Sequence, residues 1–337
     1  MTGMLKVLSG ALVLQLAVAG VLTLGDSPGG SSSGTTGPLL AINRDNLNSI
    51  RMQDNESELE LSKVDGKWVL PASENYPVNE SQVNALLDKL DAMRRDVPVA
   101  TSREARERFR VDDDEYQRHL QLFAGNNRVA SLYLGTSTGR GMSHIRIDGE
   151  DSIHSVRLAT FDVPLTGNSW ENKTLLQFDR NDLQQIALEE LTVVRAASED
   201  DAAGRVWEAS EGLAEGESLN AGAVERLVGS LATLRVDRHV PQEEAASLAL
   251  EADTLAFAVT LKEGEPRRYE LRKYSEEEAW LLRVSDQPWA MRIAQWAGQG
   301  IRDNAVRSAL VESAAEESAP ATTETTDTGS QDTSANS

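Results

Sequence analysis

The strongest constraint on this chain is that one pattern occurs in it twice. Ile42-Asn43-Arg44-Asp45-Asn46-Leu47-Asn48-Ser49-Ile50 returns as Phe178-Asp179-Arg180-Asn181-Asp182-Leu183-Gln184-Gln185-Ile186: an apolar residue, polar residues around an arginine, then Leu and Ile three apart. The echo stays in register downstream. Trp68 is answered by Trp207, and the stripe Val83, Leu86, Leu90, Met93 by Val224, Leu227, Leu231, Leu234. Self-similarity at a long period signals one supersecondary unit used more than once. The expected fold is therefore α+β, with two tandem sheet-plus-helix repeats over residues 39–168 and 174–303. At 337 residues and 40% apolar content the chain can fill about two domain cores.

Within the first repeat, Ser49 to Gln53, Glu58 to Val64 and Lys67 to Leu70 read as short strands. Leu59 and Leu61 alternate with polar residues, the mark of a sheet with one wet face. Asp65-Gly66 is a tight-hairpin signal and Trp68 a core anchor behind it. Asn79 or Ser81 caps a helix whose apolar residues from Val83 to Met93 fall on one face, and Val97-Pro98 ends it. Ser102 to Phe109 is a short charged helix. Strands follow at His119 to Phe123, Val129 to Leu134, His144 to Ile147 and Ile153 to Leu158. The second repeat restates this order through Val206-Trp207-Glu208, a helix over Asn220 to Leu234, the pair Leu255 to Leu261 and Tyr269 to Lys273, and strands at Ala279 to Val284 and Trp289 to Ile293. A short helix after Ile301 leads into an acidic tail, 312–337, that has too little apolar surface to order itself.

The N-terminus supplies an address. Leu5 through Leu24 is an uncharged run apart from Lys6, long enough to cross a bilayer core. Lys6 before it and Asp26 after it place the N-terminus inside and the body outside. Ala17-Val18-Ala19 also fits a signal-peptidase site. An anchor over residues 1–25 is the preferred reading, because Val21, Leu22 and Leu24 prolong the run past that site, and either reading exports the rest. Residues 26–38 are a Gly, Ser and Thr rich linker. The net charge of -21 excludes a nucleic-acid backbone as a general partner. The absence of cysteine excludes a disulfide framework, a thiolate nucleophile and a cysteine metal site.

These residues resemble a family of bacterial proteins known as domain of unknown function 4340. The resemblance is carried by the apolar N-terminal run, Asp65-Gly66-Lys67-Trp68, the helix from Val83 to Met93, and Leu132-Tyr133-Leu134-Gly135 ahead of a loop. The second repeat departs from it, with Gly204-Arg205-Val206-Trp207 in place of Asp-Gly-x-Trp. Similarity to this family implies a membrane-anchored protein that accompanies ATP-binding-cassette (ABC) transporter components of the gliding-motility kind. It carries over no catalytic residue.

The motifs that might carry chemistry read as architecture. Gly135-Thr136-Ser137-Thr138-Gly139 spells a nucleophile elbow, but a strand rather than a helix follows, so a flexible hairpin loop is expected. Asp112-Asp113-Asp114-Glu115 lacks the spacing of a calcium loop and reads as a solvated turn. His144 and His154 flank Asp148 and Asp151 and could meet across a hairpin. Without zinc-ligand spacing, these two with His119 and His239 are expected at the surface or between strands. Trp68, Trp207, Trp280, Trp289 and Trp296 recur at matching points and are expected in packing. No residue is assigned as catalytic, cofactor-binding or metal-binding, and no cofactor is expected. The chain is thus expected to be a non-catalytic accessory or scaffold subunit of an ABC-type transport system. Its address would be the bacterial inner membrane, single-pass, with the body in the periplasm and transport-complex subunits as partners. The alternatives are an exported hydrolase acting on an envelope polymer or ester, and a structural spacer without ligand.

Overall fold

The computed structural model describes residues 37–196 and 206–313. The expected anchor, most of the linker and the tail beyond residue 313 lie outside the described residues. No helix among the described residues is long and apolar enough to cross a membrane. The architecture is mixed α+β, built on large antiparallel sheets with few helices. The chain divides into two units. The first comprises Glu80–Trp170 and the described residues up to Val69, and the second comprises Leu70–Asn79 and the described residues from Glu171 onward.

In the first unit the strands are β1 (Ser49–Gln53), β2 (Glu58–Val64) and β3 (Lys67–Leu70). Helices α1 (Glu80–Asp91) and α2 (Arg103–Phe109) follow, preceded in the chain by a two-residue strand β4 (Tyr76–Pro77) that groups with the second unit. Strands β5 (Arg118–Ala124), β6 (Asn127–Gly139), β7 (Met142–Ile147) and β8 (Ile153–Val156) and a short helix α3 (Gly167–Trp170) complete it. The sheet runs β3-β2-β1-β5-β6-β7-β8. Period-two patterning fixes its register: Ile50 lies opposite Leu61 and Met52 opposite Leu59, and all four are buried. Asp65 and Gly66 both take positive φ, 50° and 79°, the geometry a tight two-residue hairpin needs. On α1 the buried residues are Val83, Leu86, Leu87 and Leu90, the stripe that the helical period predicts. Ser102 caps α2 by accepting from the Ala105 amide.

The second unit has β9 (Leu183–Ala187), β10 (Thr192–Ala196), β11 (Val206–Glu211), β12 (Glu217–Leu219) and α4 (Ala221–Ala232). It continues through β13 (Arg238–Val240), α5 (Gln242–Ser247), β14 (Leu250–Leu261), β15 (Arg267–Tyr274), β16 (Ala279–Val284) and β17 (Ala290–Ala294). Helices α6 (Gln295–Asn304) and α7 (Arg307–Leu310) and strand β18 (Val311–Ser313) end it. The sheet order β11-β10-β9-β14-β15-β16-β17 follows the same connectivity as the first sheet, with β13 added at the edge. In both, a cation from the second strand lies over the tryptophan paired with it, Lys63 over Trp68 and Arg195 over Trp207.

Leu70–Asn79 groups with the second unit although it follows β3 directly. Glu74 and Asn75 turn it through left-handed φ values of 55° and 57°. Tyr76 is fully buried in the second unit's core, and burial raises its hydroxyl pKa. Glu74 accepts from the Gln242 amide at 2.9 Å and bonds the His239 ring at 3.1 Å, while its carbonyl accepts from the Trp289 indole at 2.9 Å. Two further features depart from the sequence reading. α6 was not anticipated, and Glu312 and Ser313, assigned to the tail on composition, lie in β18 paired with β12.

Candidate ligand-binding groove

Comparison of one position in the two units locates the site. In the first unit, Arg44 sits on the turn Arg44–Asn46 that leads into β1, and its guanidinium is committed to α1. Nη1 donates to Asp88 at 2.7 Å and Nε donates to Asp91, and the bond to Asp88 raises the arginine's pKa. Lys89 on the same helix pairs with Asp162 at 2.5 Å and lies 5.9 Å from the Phe161 ring centre. The charges on this helix surface are held in ion pairs.

The second unit has the same scaffold with different charges. The turn Arg180–Asp182 leads into β9, and α4 has the same 12-residue length as α1. Setting the helix starts together matches Val83, Leu86 and Leu90 with the buried Val224, Leu227 and Leu231. The same alignment puts Gly229 at the place of Asp88, Ser230 at that of Lys89 and Ala232 at that of Asp91. Arg180 has lost both carboxylates. Its guanidinium occupies the space a side chain at 229 would take, with Nη2 2.9 Å from an ideal Cβ there.

The result is a groove of about 630 Å³ along α4 and α6, within the size range of ligand sites. It is lined by Arg180, Arg226, Arg235 and Trp296, with Gly229 and Gly300 keeping it open. None of the three arginines forms an ion pair with a described residue. Glu225 is the acidic lining residue, and its Oε1 accepts from the Trp207 indole at 2.7 Å. Three arginines against one glutamate leave the lining at +2 in a chain whose total is -21. Trp296 is 76% exposed, which overturns its expected place in packing, while Trp68, Trp207 and Trp280 are buried and Trp289 is half-buried. The Ser230 and Thr233 hydroxyls donate to the carbonyls of Arg226 and Gly229. Such a lining binds anions through guanidinium forks and offers a ring face for stacking. The signal that could have located it is the repeat alignment itself, in which carboxylates are replaced by Gly and Ala.

Apart from Trp296, the residues singled out in the sequence lie elsewhere. Ser137 is in β6, not in a loop; β6 runs on to Gly139 and turns through Arg140 and Gly141, both at positive φ, into β7. Its hydroxyl donates to the Met142 carbonyl at 3.2 Å and accepts from the Gly139 amide. Gly135 is required because a Cβ there would stand 2.0 Å from the Phe109 carbonyl oxygen. Asp113 of the acidic run pairs with Arg146, which holds its carboxyl below the usual range. Arg146 is itself buried, donating to the Val111 carbonyl at 2.7 Å and the Glu150 carbonyl at 3.3 Å with its guanidinium 4.6 Å from the Tyr133 ring centre. His119 stacks on Tyr133 at 4.3 Å and bonds Ser131, and burial pushes the tyrosine hydroxyl up to about 12. His119, His154 and His239 are buried rather than at the surface. His144 and His154 do not meet: His144 pairs with Ser155 and His154 with Ile145, one step apart in register, so they point to opposite faces of the sheet.

The family model described as Domain of unknown function (DUF4340) matches residues 68–253, more than half of the chain, from Trp68 in β3 into β14. The matched stretch contains Arg180 and all of α4. No curated protein and no solved structure matches.

Proposed function

We propose that this chain, which belongs to the family Domain of unknown function (DUF4340), is a non-catalytic extracytoplasmic binding or scaffold subunit of an ABC-type transport system in the bacterial envelope. The reading takes Leu5 through Leu24 as the inner-membrane anchor and the folded body as two copies of one module standing in the periplasm. One observation carries the binding role: the charges that are tied up in ion pairs on α1 give way on α4 to a groove lined by arginines that pair with no described residue. A module kept once as a packed body and once with a cleared, charged groove suits a subunit that holds a partner. The Ser137 hydroxyl, bonded within its own hairpin, supports a structural part for that residue.

Purification of the full chain from membranes in mild detergent tests the proposal. Transporter subunits arriving in fixed stoichiometry support it; a lone chain that turns over an ester or glycan substrate supports the hydrolase instead. Reporter fusions after residue 38 test the address, and activity of a cytoplasmic reporter there overturns it.

A further inference from the structure

We infer that the groove on α4 and α6 is a binding site for an extended acidic peptide segment of a partner, with carboxylates on Arg180, Arg226 and Arg235 and an apolar side chain against Trp296. The inference rests on reading the chain as a binding subunit and names the partner's chemistry. The spacing of the arginines argues for an extended ligand. From Arg226 to Ala232 is about 9 Å of helical rise, and Arg235 lies three residues beyond. A single phosphate or carboxylate cannot span that length, whereas an extended chain advances about 3.3 Å per residue and can set alternate acidic side chains along it. Arginine forks match carboxylates in a bidentate way, and the exposed indole supplies flat apolar area beside them. An anionic membrane surface is disfavoured, because the lining is concave and the chain around it is strongly acidic. That acidity does not forbid an acidic peptide, since screening within about 8 Å at physiological salt leaves the local arginines dominant.

The first unit supplies the design of the test. Gly229→Asp restores the carboxylate that Asp88 presents to Arg44, and so neutralises Arg180 from within. Gly229→Asn adds nearly the same volume without the charge. A fluorescein-labelled pentapeptide alternating Glu and Leu is titrated by anisotropy against the full chain in mild detergent, with the Gln and Leu peptide as control. Circular dichroism and a melting curve show that each variant is folded. The expected result is saturable binding of the Glu peptide alone, weakened about tenfold or more by Arg180→Gln and by Gly229→Asp. The first-unit change Arg44→Gln leaves it within about twofold, because it removes no charge from the groove, and Gly229→Asn, which shifts the Arg180 guanidinium without neutralising it, costs several-fold less than Gly229→Asp. Equal binding of the Gln peptide, no effect of Arg180→Gln in a folded variant, or equal loss from Asn and Asp at 229 overturns the inference. Displacement by low inorganic phosphate also overturns it, in favour of a compact anion. Failure to bind the peptide while transporter subunits still co-purify sinks this inference and leaves the proposed function standing.

Discussion

Two glycines on α6, two residues apart, are expected to answer alanine substitution with opposite signs. Gly298 lies against Trp280, whose side chain is fully buried, and a Cβ at 298 would stand 2.2 Å from the indole Cγ and Cδ1. Carbon atoms pack at about 3.5–4.0 Å, so the helix or the ring must move by more than about 1 Å. Trp280 belongs to the same core as Leu282, Met291 and Ile301 and has no open side to swing towards. Overpacking of this kind costs about 1–3 kcal/mol, and the severity of the clash places it near the top of that range. Exchanging Gly for Ala inside a helix returns about 0.8–1.0 kcal/mol, which leaves Gly298→Ala destabilising by about 1–2 kcal/mol. Gly300 has nothing within 4 Å of a Cβ and no positive φ, so Gly300→Ala keeps only the propensity gain of about 0.5–1 kcal/mol. For a unit of this size 1 kcal/mol is worth about 2–4 °C, so the two melting temperatures should move apart by about 3–12 °C. Far-ultraviolet circular dichroism melts, with urea titrations for the free energies, measure this. If both alanines shift stability in the same direction, α6 is not seated on Trp280 through Gly298 and the reasoning fails.

Tyr76→Ala should destabilise the second unit although the residue precedes α1 in sequence: emptying a fully buried aromatic site costs about 3–5 kcal/mol. Hydrogen exchange should then quicken in β9 and β14 more than in β1 and β5, and the reverse pattern would remove Leu70–Asn79 from the second unit. The first unit should lose stability as pH falls below about 6.5, the ordinary histidine value. Burial lowers the pKa of His119, His144 and His154, so in that window the unfolded chain binds protons that the folded chain refuses. Urea midpoints between pH 8 and pH 5 that stay flat, or rise on acidification, contradict this. Arg146→Met should cost about 2–4 kcal/mol, because the Val111 and Glu150 carbonyls lose their donor while the Asp113 carboxylate, more than half exposed, can rehydrate. Chemical denaturation of the purified variant checks it, and a loss below about 0.5 kcal/mol would mean those carbonyls are satisfied by water.

The elements legible in the sequence are those whose signal is local. Alternation around Leu59 and Leu61 and the turn signal Asp65-Gly66 placed strands and hairpin close to where they stand. α6 escaped because Gly298 and Gly300, poor helix formers, break its pattern, and the first glycine is there to admit Trp280 rather than to suit the helix. The second-unit placement of Leu70–Asn79 escaped because Tyr76 is buried far along the chain from its neighbours, which no window of sequence reports. The groove was hidden for a different reason. Its arginines come from a turn, a helix and the segment after that helix, and what deprives Arg180 of the carboxylates that hold Arg44 is the replacement of Asp88 and Asp91 by Gly229 and Ala232. A motif search asks which reactive groups are present, whereas here the informative change is the loss of the groups that would have neutralised Arg180. A folding module keeps Leu227 and Leu231 because the core requires them, but the core does not require Arg180 to lack a carboxylate on α4. An arginine without a carboxylate partner among the described residues, lining the same groove as an exposed tryptophan, is the surface that the proposed binding role would use.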